Sequence, residues 1–147
     1  QMDTIPLLQI TQSIEKILSE VEPTVIYTHH HGDLNIDHRI THQAVMTACR
    51  PQPNFYVEEI YGFEVLSSTE WSTPGSHNVF LPTFYNDISE YYEIKHQALK
   101  DYHIEMRNFP HARSYEAVSA LCTLRGTQVG LKKAEAFEVI RKINRRV

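Results

Sequence analysis

Between Leu7 and Pro51 the chain reads as helix, strand, polar loop and second helix, and this order constrains the fold more than any single residue. Apolar side chains at Leu7, Ile10, Ile14, Ile17, Leu18 and Val21 repeat every three or four residues, which predicts one helix ending before Pro23. The segment Thr24 to Thr28, TVIYT, is short, β-branched and aromatic, as a buried strand would be. A polar run, HHHGDLNIDHR, follows, and then Ile40, Ala44, Val45, Ala48 and Cys49 share one side of a second helix stopped by Pro51. A strand between two amphipathic helices is the repeating unit of an α/β protein, and the polar loop then lies at the carboxyl end of the strand, where open α/β sheets place their ligand sites.

Further along, Phe55 to Leu66 predicts strand structure and Leu81 to Tyr85 another short strand. Helices are expected over Ile88 to Met106, Tyr115 to Leu124 and Ala134 to Ile143, the last from Ala136, Phe137, Val139, Ile140 and Ile143. With no repeat, low-complexity tract or linker, one compact unit is the economical expectation for 147 residues. Yet a parallel sheet needs several strands and cover on both faces, and this chain offers only two or three strands and opens on a helix. A strand that should pair with Thr24 to Thr28 is missing from the pattern.

Charge and composition exclude several classes. With 14 basic and 18 acidic residues the formal charge is -4, so no broad attraction to nucleic acid is expected. No stretch approaches the roughly 18 consecutive apolar residues of a membrane span. Cys49 and Cys122 are far apart and form no CxxC pair, which points to small core residues in a reducing, cytoplasmic setting. The unusual count is nine histidines, three of them consecutive at His29, His30 and His31.

Asp33, Asn35, Asp37, His38 and His42 follow that triplet, and imidazole with carboxylate is the donor set of catalytic zinc. The zincin arrangement is absent, because Arg39 rather than Glu follows His38. A plainer reading stands beside the catalytic one: Asn35 or Asp37 caps the helix that begins near His38. The triplet also has a plain reading, a solvated polar loop or the incidental metal affinity of a His-rich tract, and this is the expectation for His30.

Five stretches in order, DLNIDHRITHQAVMTACRP, YGFEVLSSTEW, FLPTFYNDIS, KHQALKDYHIEMRNFPHARSYEAV and LRGTQVGLKKAEAF, resemble the PIG-L/LmbE family of zinc-dependent N-deacetylases, over roughly Val25 to Phe137. The resemblance implies an α/β fold with a Rossmann-like, mostly parallel sheet and flanking helices, and removal of an acetyl group from an N-acetylated sugar or sugar conjugate. Family members carry two metal-binding blocks. The second is matched here by Asn35-Ile36-Asp37-His38; the first, a His-Pro-Asp-Asp run after the opening strand, occurs nowhere in the chain. Both the sheet argument and the resemblance therefore lead to the expectation that residues 1–147 are the carboxyl-terminal portion of one such domain, lacking its first strand-helix unit and inactive when isolated.

By resemblance His38 is a Zn2+ ligand and Asp37 a carboxylate that orients a ligand or catalytic group. Asn35 stands where many relatives have a histidine that assists the tetrahedral intermediate; an amide can donate to an oxyanion but cannot transfer a proton. For substrate contacts the candidates are Glu64 and Trp71, after a strand, and His111 and Arg113, in a turn after Pro110; Ser114 beside them is also placed to cap a helix. The remaining zinc ligands are expected from an amino-terminal segment of the same protein. A rival reading from another class is a non-catalytic carbohydrate-binding or interaction module that kept the fold without the metal centre, and a third builds a metal site from His29, His31 and His38 within this chain.

Overall fold

A computed structural model describes residues 1–53, 55–75 and 77–144. Two compact units emerge, residues 1–81 with 138–147, and residues 82–137. Four strands are ordered β1-β2-β4-β3, where β1 is Val25–His29, β2 Glu59–Phe63, β3 Phe84–Asp87 and β4 Ala134–Lys142. The expected α/β class with an open sheet and flanking helices is present. Among the described residues β1 pairs with β2 in parallel, whereas β3 and β4 run antiparallel, so the sheet is mixed rather than mostly parallel.

In the first unit, α1 (Leu7–Val21) buries Ile10, Thr11 and Leu18. The chain leaves it through Glu22, a left-handed residue at φ 48° whose N–H donates to Leu18 O at 2.8 Å, and Pro23 then prevents continuation. β1 follows at once, in register with β2 from Val25 opposite Glu59 to His29 opposite Phe63. α2 (Ile36–Ala48) lays Ala44 and Val45 inward. Leu18, Val45, Cys49, Val57 and Ile60 make the core, flanked by Ile14, Ile26, Phe55 and Ile140; a fully buried aliphatic chain of this kind contributes about 1.5–3 kcal/mol. Arg141 on β4 donates to the Cys49 carbonyl at 2.7 Å, so the end of α2 is satisfied from the sheet. β1 sits at the end of the strand order and pairs on one side only among the described residues. Leu8, Ile17 and Val21 of α1 remain exposed.

The second unit joins β3 to the start of β4, with Phe84 opposite Phe137 and Asp87 opposite Ala134. The helix expected over Ile88 to Met106 is shorter: α3 spans Tyr92–Asp101 and a 3-10 turn spans His103–Glu105. Asp87 accepts from both the N–H (2.9 Å) and the hydroxyl of Ser89, and this turn occupies the residues before α3. α4 (Tyr115–Thr127) starts at the buried cap Ser114, whose oxygen accepts from Ala117 N–H at 3.1 Å.

The last expected helix, Ala134 to Ile143, is a strand over Ala134–Lys142. AEAFEVIRK carries apolar residues at both helical and alternating spacing, and although its Ala, Glu, Arg and Lys are good helix formers, such propensity is a weak prior that tertiary context overrides. What decides is neighbouring backbone: β4 lies between β2 and β3 in the strand order, and Ala134 and Ala136 are buried on one face of the pleat.

Candidate functional site

The site of the first unit is built where β1 runs out. Asn35 is the N-cap of α2, its side-chain oxygen accepting from Asp37 N–H at 2.9 Å. Because that oxygen is committed to the cap, the amide nitrogen is the atom facing His38 Nε2, at 3.4 Å. The cap reading is therefore realised, and it aims the Asn35 N–H group at the expected metal ligand.

Opposite, His38 Nδ1 lies 3.1 Å from Oδ1 of Asp33. Asp33 is 0% exposed and accepts from the hydroxyls of Ser68 and Thr69 (2.7 Å for Thr69) and from Asn35 N–H at 2.8 Å. Burial pushes the Asp33 carboxyl up, but these hydrogen bonds outweigh it and hold its pKa below the ordinary carboxyl value. An ionised Asp33 only accepts, so His38 carries its proton on Nδ1 and keeps the lone pair on Nε2. This is the tautomer a metal-binding imidazole needs, with a carboxylate behind it.

Asp37 accepts from the backbone nitrogens of Gln1 (2.9 Å) and Met2 (2.8 Å). The carboxylate that orients His38 is Asp33. The signal for it was in the sequence, since Asp33 lies in the same polar loop, but its partners Ser68 and Thr69 are 35 and 36 residues away. Ser68 is only 3% exposed, so it serves Asp33 from within the protein.

His29 stacks on His38 with ring centroids 4.1 Å apart. Burial, and then repulsion from His38, lower its pKa, and its Nδ1 is buried without a hydrogen-bond partner among the described residues. His42 Nδ1 bonds the His29 carbonyl at 2.8 Å. A lone pair on His38 Nε2 beside an orphaned imidazole nitrogen is a donor set that fits zinc, although it is not a complete ligand shell.

His30 departs from its expectation. It is 0% exposed, with Nδ1 2.7 Å from Glu138 Oε2 and Nε2 3.0 Å from Asn78 O. Burial opposes charging it, but the Glu138 contact and the Asn78 carbonyl, with the charges of Glu138 and Asp33, together outweigh burial and its pKa is raised. A buried ring thus stands where a solvated loop was expected, because its partner on β4 is 108 residues away.

Of the substrate-contact candidates, Glu64 and Trp71 bracket the loop after β2, and Trp71 is 52% exposed. That loop is tied to the site by Leu34 N–H donating to Ser68 O at 3.3 Å. His111 and Arg113 belong to the second unit. His111 Nδ1 accepts from Arg113 N–H at 3.0 Å, and the Arg113 guanidinium pairs with Glu105 at 2.7 Å.

Residues 1–49 match the PIG-L family model, described as GlcNAc-PI de-N-acetylase. The protein named "Uncharacterized deacetylase YaiS" of Escherichia coli (strain K12) is 35% identical over 86 residues, 58% of this chain and 40% of the relative. Similar solved structures include the conserved protein TT1542 of Thermus thermophilus (TM-score 0.70, 19% identity, 97% of this chain and 62% of that one). The N,N'-diacetylchitobiose deacetylase of Pyrococcus horikoshii has TM-score 0.66 and 16% identity, over 94% of this chain and 54% of that one. GalB, a 4-carboxy-2-hydroxymuconate hydratase, has TM-score 0.69 and 15% identity, over 95% of this chain and 61% of its own. The family match, the deacetylase relative and the PIG-L/LmbE-like folds of these neighbours bear out the resemblance. The chain spans about two fifths of the curated relative's length. GalB shows that this fold carries more than one reaction, so the reaction must be argued from the site.

Proposed function

We propose that this chain is the carboxyl-terminal portion of a zinc-dependent N-deacetylase domain acting on an N-acetylated sugar or sugar conjugate. The observation that carries the reading is the buried Asp33 behind His38, which holds Nδ1 and leaves the lone pair on Nε2, the atom the Asn35 amide faces. The deacetylase name of the curated relative supports the reaction, and that of the chitobiose enzyme supports the substrate class.

Zinc bound there would polarise the acetamide carbonyl and lower the pKa of bound water towards roughly 7. Within this chain His38 would hold the ion, and the Asn35 N–H group would donate to the oxyanion of the tetrahedral intermediate. Asn35 moves no proton, so the base and acid roles fall to the upstream segment expected to bring His-Pro-Asp-Asp. That segment would pair with the outer edge of β1 and cover Ile17 and Val21 of α1, both exposed here. Trp71 and Glu64 would meet the sugar by stacking and hydrogen bonding. Cys49 and Cys122 are buried thiols outside any disulfide, in keeping with a cytoplasmic protein.

The test is co-expression of this chain with the segment encoded upstream, followed by acetate release from N,N'-diacetylchitobiose and N-acetylglucosamine with and without a chelator. Zinc-dependent release that His38→Ala abolishes is expected. Sugar binding without acetate release, and without a zinc requirement, would instead establish the non-catalytic carbohydrate module.

A further inference from the structure

We propose that His30, His31 and Glu138 form a second divalent-cation site of zinc type, separate from His38. One ligand atom from each of the three lies within 4.8 Å of the others. Both imidazoles turn Nε2 to a backbone carbonyl, His30 to Asn78 O at 3.0 Å and His31 to His77 O at 2.5 Å. A carbonyl only accepts, so each Nε2 carries the hydrogen and each Nδ1 is the donor left for a metal.

His30 Nδ1 then faces Glu138 Oε2 at 2.7 Å, in a place where the ring has no solvent exposure. A lone pair held that close to a carboxylate, away from water, is repulsive unless a cation lies between them. A proton on Nδ1 is one such cation; a divalent metal that also takes His31 is the other. Two imidazoles with one glutamate are the donor set of zinc sites that keep an open position.

The surroundings already orient these donors. Leu81 N–H holds Glu138 Oε1 at 2.8 Å, leaving Oε2 to the imidazole, and the Asn78 carbonyl fixes the His30 ring. Gly32 allows the close approach of the histidine loop, because a Cβ there would lie 2.6 Å from Asn78 Cα and 2.7 Å from His30 Nε2. In a tetrahedral zinc shell donor atoms stand about 3.4 Å apart. Admitting the ion requires that His31, whose side chain is exposed, leave the His77 carbonyl and swing inward, and that His30 Nδ1 and Glu138 Oε2 part from 2.7 Å to that spacing. The cation would tie together the loop after β1, the segment around Asn78 and β4.

The experiment titrates zinc alone into chelator-stripped His38→Ala protein, with stoichiometry read by elemental analysis and affinity by calorimetry. His38→Ala should retain one zinc, and adding His31→Ala should weaken it by at least about tenfold. Since His31 is exposed, this second change leaves the packing intact, which circular dichroism verifies. Should the His38→Ala protein not fold, wild type against His31→Ala decides by a difference of one zinc. Absence of zinc from the folded His38→Ala protein, or unchanged binding after His31→Ala, would overturn the proposal and show a proton-only pair. No activity is measured, so the outcome stands apart from the deacetylase reading.

Discussion

Asp33 and His38, five residues apart, face each other as a buried carboxylate and an imidazole 3.1 Å away, and the loop after β2 holds the carboxylate through Ser68 and Thr69. A short polar loop would not by itself keep a histidine in one tautomer. The long-range hydroxyls do so, by keeping Asp33 ionised without water.

Replacing Asp33 with Asn keeps the side chain's shape but removes the charge that holds His38 Nδ1–H. The Ser68 and Thr69 hydroxyls can rotate to accept from the new amide, so the stability cost should be about 1–3 kcal/mol. Zinc affinity at His38 in the complete enzyme should fall about 10–100-fold. Calorimetric zinc titration of the folded variant measures this, and an unchanged affinity would remove Asp33 from the site.

His38→Ala takes away the expected ligand from a side chain that is 18% exposed and packs outside the apolar core. Asp33 retains three hydrogen-bond donors, so the loss of stability should be about 1 kcal/mol. Zinc content at this centre and deacetylase turnover in the complete protein should both disappear. Full turnover with metal retained would mean that the ligand lies elsewhere.

His42 gives a pH dependence. Burial lowers its pKa below the ordinary 6.5, against the opposing hydrogen bond to the His29 carbonyl. The unfolded chain therefore takes up a proton near 6.5 while the folded one stays neutral. The stabilising contribution is complete above that value and is lost as pH falls through it towards the lower folded pKa. His42→Gln can still donate to the carbonyl, and urea unfolding at about pH 7.5 and about pH 5.5 should show a smaller acid loss for the variant. Equal losses would show that His42 is not held neutral.

Ser114 is fully buried at the start of α4 and bonds Ala117 N–H. Ser114→Ala should destabilise the protein by about 1 kcal/mol, with Thr rescuing part of it. Thermal unfolding is the measurement; an unchanged midpoint would mean that the cap contributes nothing.

Local chemistry wrote the amino-terminal architecture into the sequence. The spacing from Leu7 to Val21, the stop at Pro23, the β-branched run of β1 and the Asn35 cap depend on neighbours a few residues away, and each is found where the pattern put it. The block Asn35-Ile36-Asp37-His38 could be read for the same reason. Tertiary structure decided what depends on distant partners. AEAFEVIRK became a strand because β2 and β3 offer it backbone pairs, a preference absent from its own periodicity. Asp33 faces His38 as a held carboxylate because only the fold brings Ser68 and Thr69 to it. His30 is buried because Glu138, 108 residues on, supplies the charge that a lone imidazole would lack.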